Sequence, residues 1–75
     1  MTIDFSKSLY ELISQYPIVK EIMFEIGFKE IVKPGMIQTA GRYMTIPKGA
    51  KMKKIPIENV IAAFEEKGFQ IIGVN

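Results

Sequence analysis

The sequence predicts an all-α fold, a small multihelical bundle of about five helices around a buried second helix, with the termini able to add a minor two-stranded ribbon. Three observations predict it. Apolar residues recur at i, i+3, i+4 and i+7 near both ends of the chain, the mark of helices with one buried face. Proline heads successive segments at Pro17, Pro34, Pro47 and Pro56, where its missing N–H is harmless in a first helical turn. Glycine follows the central and the last apolar segments at Gly27 and Gly68, the residue type that closes a helix in left-handed backbone.

Thr2 to Phe5 is a short extended lead-in. Leu9, Leu12, Ile13 and Tyr16 then share one helical face. Two residues can cap this first helix: Ser8, with Glu11, makes a reciprocal capping box, whereas Ser6 would set Phe5 and Tyr10 as a hydrophobic staple; Ser8 is preferred. Pro17 disfavours helical backbone at Tyr16, so Tyr16-Pro17 is a corner and the second helix leaves at an angle. In that helix Ile18, Val19, Ile22, Met23 and Ile26 form a stripe roughly 140° wide at about 100° per residue. Phe24 points from the opposite side, so the helix needs neighbours on two sides. After Gly27, Phe28 folds back on the last turn. Glu66 to Ile72 echoes Glu25 to Ile31, which reads as the same way of ending a helix used twice rather than as a duplicated unit.

Pro34 opens a third helix in which Met36, Ile37, Ala40, Tyr43 and Met44 share a face and Gln38, Thr39 and Arg42 lie elsewhere. Gly41 inside it costs about 1 kcal/mol relative to Ala, a sign of close backbone packing or of a loose helix. Thr45 caps a short fourth segment, Ile46 to Lys53. Pro56 opens the last helix, with Ile57, Val60, Ile61 and Phe64 inward and Glu58, Glu65 and Glu66 outward. The tail from Gln70 to Val74 has strand composition, and the lead-in around Ile3 is its available partner. Such a ribbon persists only if it lies on the helices.

A chain of 75 residues makes one domain, residues 1–75, and buries only about 60% of its unfolded surface, which leaves little room for a large internal cavity. Its 48% apolar and 24% charged residues are a globular composition. No apolar run approaches the roughly 20 residues that span a bilayer, and MTIDFSKSLY has neither the basic nor the apolar region of a signal peptide, so a cytoplasmic location with no membrane partner is expected. The chain has no cysteine and no histidine. That removes disulfides, thiolate chemistry, the usual general base and the commonest metal ligands, so neither an enzyme nor a metal or cofactor site is expected.

Charge is partitioned along the chain. Residues 1–32 carry a net −2 and residues 55–75 a net −2, while Lys33, Arg42, Lys48, Lys51, Lys53 and Lys54 give the segment between them +6 with no acid. Such a segment attracts anions. In the sharper reading, the helix starts at Pro34 and after Thr45 offer N–H groups to a small anion, Arg42 supplies a two-pronged donor, Thr45 a hydroxyl, and Lys48 and Lys51 mobile charge; Gln38 and Thr39 complete the face. In the plainer reading Thr45 is only a cap and the lysines only solvate the segment. The chain is thus expected to be a non-enzymatic domain that binds a partner protein or small anionic ligand through residues 33–54. A nucleic-acid-binding module is the alternative, weakened by Tyr43 being the segment's one aromatic. A second copy, offering its acidic outer thirds, is a further candidate partner. Met23, Met36, Met44 and Met52 read as adaptable core filling before a binding groove, and Tyr10, Tyr16 and Tyr43 as packed rings with a wet hydroxyl.

Ile3-Asp4-x-Ser6, Tyr10-Glu11-Leu12, Tyr16-Pro17, Gly27-Phe28, Pro34-x-Met36 and Gly41-Arg42-x-Met44-Thr45-Ile46 together resemble the signature of a family of small bacterial and archaeal helical domains of unknown function. The resemblance spans nearly the whole chain and implies a multihelical bundle with a buried second helix. The family is similar to the redox disulfide domain associated with hybrid-cluster proteins and to the N-terminal domain of di-iron proteins that repair iron-sulfur clusters. Those domains use cysteines after the central helix, where this chain has Phe28-Lys29-Glu30-Ile31. No cysteine role carries over, so the resemblance adds only an alternative, an accessory domain in redox or iron-sulfur metabolism that works without cysteines of its own.

Overall fold

The computed structural model describes residues 1–74. In chain order it contains strand β1 (Thr2–Asp4), helix α1 (Leu9–Gln15), helix α2 (Ile18–Ile26), a 3₁₀ turn (Lys29–Val32), a second 3₁₀ turn (Ala40–Arg42), helix α3 (Ile46–Lys53), helix α4 (Ile57–Glu66) and strand β2 (Gln70–Ile72). The all-α class holds, with four α-helices and a ribbon of the two termini.

The ribbon is parallel, pairing Thr2 with Gln70, Ile3 with Ile71 and Asp4 with Ile72. It lies on the helices: Ile3 and Phe5 are fully buried, and β2 packs on α4. Aromatic rings fasten the arrangement edge to face. Phe5 meets Phe64 at 5.2 Å between centroids, Phe64 meets Phe69 at 5.7 Å and Phe69 meets Tyr16 at 5.1 Å, while the Tyr16 hydroxyl donates to the Thr2 carbonyl. Leaving β1, the Asp4 carboxylate accepts from the Ser6 hydroxyl at 2.6 Å and the Ser6 N–H at 2.9 Å. Ser6 is thereby committed to a turn, and Ser8 is the cap of α1, with its hydroxyl accepting from the Glu11 N–H and the Glu11 side chain returning to Ser8.

Helix α2 packs against α1, α4 and the first 3₁₀ turn, burying Val19, Ile22 and Met23. Ile18, at the edge of the predicted stripe, stays exposed, and Phe24 lies outside with the Lys29 ammonium 4.1 Å over its ring. Three α-helices end alike. In each, a residue with positive φ (Gly27, Lys54, Gly68) is followed by an apolar residue whose N–H reaches the carbonyl five residues back: Phe28 to Met23, Ile55 to Ala50 and Phe69 to Phe64. This is the closing motif in which the sixth residue bonds the first. The echo between 25–31 and 66–72 is this motif.

The third helix predicted from Pro34 to Met44 does not form. Gly35 adopts φ +78, the Thr39 hydroxyl donates back to the Gly35 carbonyl at 2.6 Å, and the Gly41 N–H reaches past the helical partner to Met36. Two glycines and a threonine whose hydroxyl competes for backbone carbonyls leave a string of turns and one 3₁₀ turn, although the apolar spacing is helical.

Lys54 holds left-handed backbone (φ 58, ψ 37) with a side chain that destabilises it. Lys54→Gly is expected to stabilise the fold by about 1 kcal/mol, read from the urea midpoint; a lower midpoint would mean that the lysine side chain does more than occupy the position.

Candidate functional site

Residues 36–46 form a joint between α1 and α3. The Arg42 guanidinium lies over the Tyr10 ring, 4.2 Å from its centroid, and its Nε donates to the Gln38 carbonyl at 2.8 Å. The Met44 carbonyl accepts the Leu9 N–H at 2.7 Å, a donor that the first turn of α1 would otherwise leave unpaired. The Thr45 hydroxyl accepts the Lys48 N–H at 3.4 Å and caps α3, and Ile46 enters the core. Each of Arg42, Met44, Thr45 and Ile46 thus has a structural task.

The six residues expected to form a site meet different fates. The Thr39 and Thr45 hydroxyls are engaged with backbone, Gln38 lends its carbonyl, Arg42 is held in its stack, and Lys48 and Lys51 stand exposed on α3. They do not converge on one pocket. With no helix beginning at Pro34, the first of the two expected anion-holding helix starts is absent as well.

The concave feature of this region lies beside them. A groove of about 450 Å³ opens between the first 3₁₀ turn, residues 36–44 and α3, with Leu9, Phe28, Ile31, Met36, Met44 and Met52 in its wall. Met23 alone of the four internal methionines fills the core; Met36 and Met44 are half-buried, and Met52 is 71% exposed. Tyr43 is 83% exposed rather than packed. Gly49 makes the room. A Cβ there would stand 3.2 Å from the Phe28 ring and 3.8 Å from the Met44 sulfur, and its φ is not positive, so close approach accounts for a glycine inside a helix. At the rim the Lys53 ammonium donates to a Glu30 carboxylate oxygen at 2.6 Å. A second cleft of about 490 Å³, between α2 and α4, carries Glu25, Glu66, Asn59 and Lys67 in its lining. Among the described residues no group of three acids, histidines or cysteines could hold a metal, and no helix is long and apolar enough to cross a membrane.

A family model described as a domain of unknown function (DUF1858) matches residues 3–61. The chain belongs to this family. Its fold recurs in the solved structure of a conserved domain protein from Streptococcus pneumoniae TIGR4, 32% identical, with a TM-score of 0.92 over 99% of this chain and 94% of that one. No curated protein matches the chain.

Two carboxyl groups of this DUF1858 domain are held below the usual carboxylate range. Asp4 is lowered by the Ser6 hydroxyl and then by the Ser6 N–H, and Glu30 first by its hydrogen bond from Lys53. A carboxyl whose pKa is lower folded than unfolded contributes stability that is present above the unfolded value and lost as pH falls through the folded one. Stability is therefore expected to decline on acidification from about pH 5 downward. The double variant Asp4→Asn, Glu30→Gln should flatten that decline in urea midpoints taken across the acid range, and an unchanged slope would assign it to other groups.

Proposed function

We propose that this domain is a non-enzymatic binding module that docks a partner protein through the basic face built by α3 and residues 33–45. What carries the reading is Lys48. It occupies the third position of α3, the place where a capping box puts an acid and where the helix dipole disfavours a cation. Helices α1, α2 and α4 each carry an acid in the first turn, Glu11, Glu21 and Glu58, and α3 carries none. Fold stability gives no reason for this charge, whereas attraction of an acidic partner does.

A small anion is the weaker form of the same reading, since the Thr39 and Thr45 hydroxyls are already engaged and Arg42 stands on a different element from Lys48 and Lys51. The exposed ring of Tyr43 favours a nucleic-acid module as second reading, because a base can stack on it. An accessory place in redox or iron-sulfur metabolism, implied by the resemblance to cysteine-bearing domains, would have to be filled by partner binding alone, since Phe28 to Ile31 supply no thiolate.

Lys48→Glu separates the readings because it is expected to move stability and binding in opposite directions. It should stabilise the fold by about 0.5–1 kcal/mol through the completed capping box. It should also weaken binding of polyglutamate at low salt roughly tenfold, measured by calorimetry. Undiminished affinity in the variant removes the α3 face. Tighter binding of a mixed oligonucleotide than of polyglutamate, with a steep fall in salt, would install the nucleic-acid reading instead.

A further inference from the structure

The inference rests on the basic face being a binding face and names what it holds. We propose that the groove beside α3 takes one apolar side chain of an acidic partner segment, and that Glu30 is a built-in competitor which the partner's carboxylate displaces from Lys53.

The groove has the chemistry of an anchor pocket. Its volume of about 450 Å³ lies within the range of roughly 300–1,000 Å³ usual for ligand sites. Met36, Met44 and Met52 give it an unbranched, polarisable wall that re-packs around a guest. Met52 leaves most of its surface in water above an apolar floor, an arrangement that a covering side chain would improve.

Charge selects the guest. The segment 33–54 contains six cations and no acid. Lys33 follows the first 3₁₀ turn, Arg42 is stacked on α1, and Lys48 lies one helical turn before Met52. Lys53 in the groove wall, and further cations spread along the segment that builds much of that wall, match negative charge distributed along a peptide, with an apolar residue between the acids. A fatty acid or free phosphate would call for cations gathered at one mouth.

Glu30 and Lys53 are the charged residues that line this groove. Their pair is held at 2.6 Å with each side chain 40% exposed, so solvent and an incoming carboxylate reach it without unfolding anything. An exposed pair of this kind contributes little to stability. Exchanging the Glu30 carboxylate for a partner's restores an equivalent bond to Lys53, and Glu30 thereby tunes affinity downward.

The test uses two short peptides of Glu and Asp, one with a central Phe and one with Ser in its place, followed by amide and methionine-methyl shifts of the labelled domain at low salt. The Phe peptide is expected to bind about tenfold more tightly and to shift Phe28, Ile31, Met36 and Met52. Glu30→Gln should bind it more tightly than the parent. Met52→Glu, at an exposed position, should weaken it about tenfold while Met52→Leu does not. Equal binding of the two peptides, with shifts confined to Lys33, Lys48 and Lys51, overturns the groove and leaves the basic face standing. Failure of both peptides to bind removes the basic face as well. Weaker binding by Glu30→Gln overturns the competitor role. Groove shifts produced by phosphate, or by self-association of the domain on concentration, would give the groove to another occupant.

Discussion

Left-handed backbone at the ends of three helices is the constraint on which the rest of this small fold depends. A domain of this size has little interior, and a helix that simply stopped would leave its last carbonyls and the next stretch of chain in water. Gly27, Lys54 and Gly68 each turn the chain so that the following residue faces inward. Phe28 then closes one wall of the groove, Ile55 covers Gly27, whose Cβ position lies 3.6 Å from its terminal carbon, and Phe69 joins the ring cluster of Phe64 and Tyr16. Turns thus add core residues that the helices alone would not supply.

The same economy explains why a ribbon of three residues per strand survives. Isolated, it would be marginal. Here Ile3 lies in, and Ile71 packs against, the same apolar cluster as Phe64 and Phe69, and the ribbon's ends are tied by the Phe5 N–H to the Ile72 carbonyl and by the Gln70 N–H to the Met1 carbonyl. Asp4 fixes the exit from β1 through Ser6 and sits against Gly73, whose positive φ and lack of Cβ admit the carboxylate. β1 therefore belongs to the core through Ile3, and β2 lies at its edge with Ile71 half-buried against it.

Local chemistry was legible in the sequence wherever one residue type does one job. Pro17, Gly27, the Ser8–Glu11 box, Thr45, Pro56 and Gly68 mark boundaries that the structure keeps within a residue or two. Apolar spacing misled at 34–44, because periodicity reports which residues face inward and not whether glycine and threonine let the backbone stay helical; Met36 and Ile37 are half-buried on a string of turns. Lys54 gave no signal, since nothing in a lysine announces left-handed backbone. The groove was invisible for a different reason. Its wall comes from residues 9, 28–31, 36–44 and 49–53, four stretches whose meeting depends on the packing of α3 against the joint, and the clue nearest to it was Gly49, a glycine in a helix where no turn needed one.

Charge placement on α3 divides into cations that the fold explains and one that it does not. Lys51 and Lys53, near its C-terminal end, complement the helix dipole, and Lys53 also bonds Glu30; these cations have a reason inside the fold. Lys48 has none, because it repels the positive end of the same dipole. Where every other choice in an element agrees with its structure, the residue that breaks a local rule without a compensating contact is the one to read as functional. On α3 the cap, the proline of the first turn, the buried Ile46 and Ala50 and the basic last turn all agree. Lys48 is the dissenter, and it stands one turn from Met52 at the open side of the groove. Positive charge at an unfavourable helical position and apolar surface left uncovered beside it each oppose stability separately. The proposed acidic, apolar-anchored partner segment would remove both costs together.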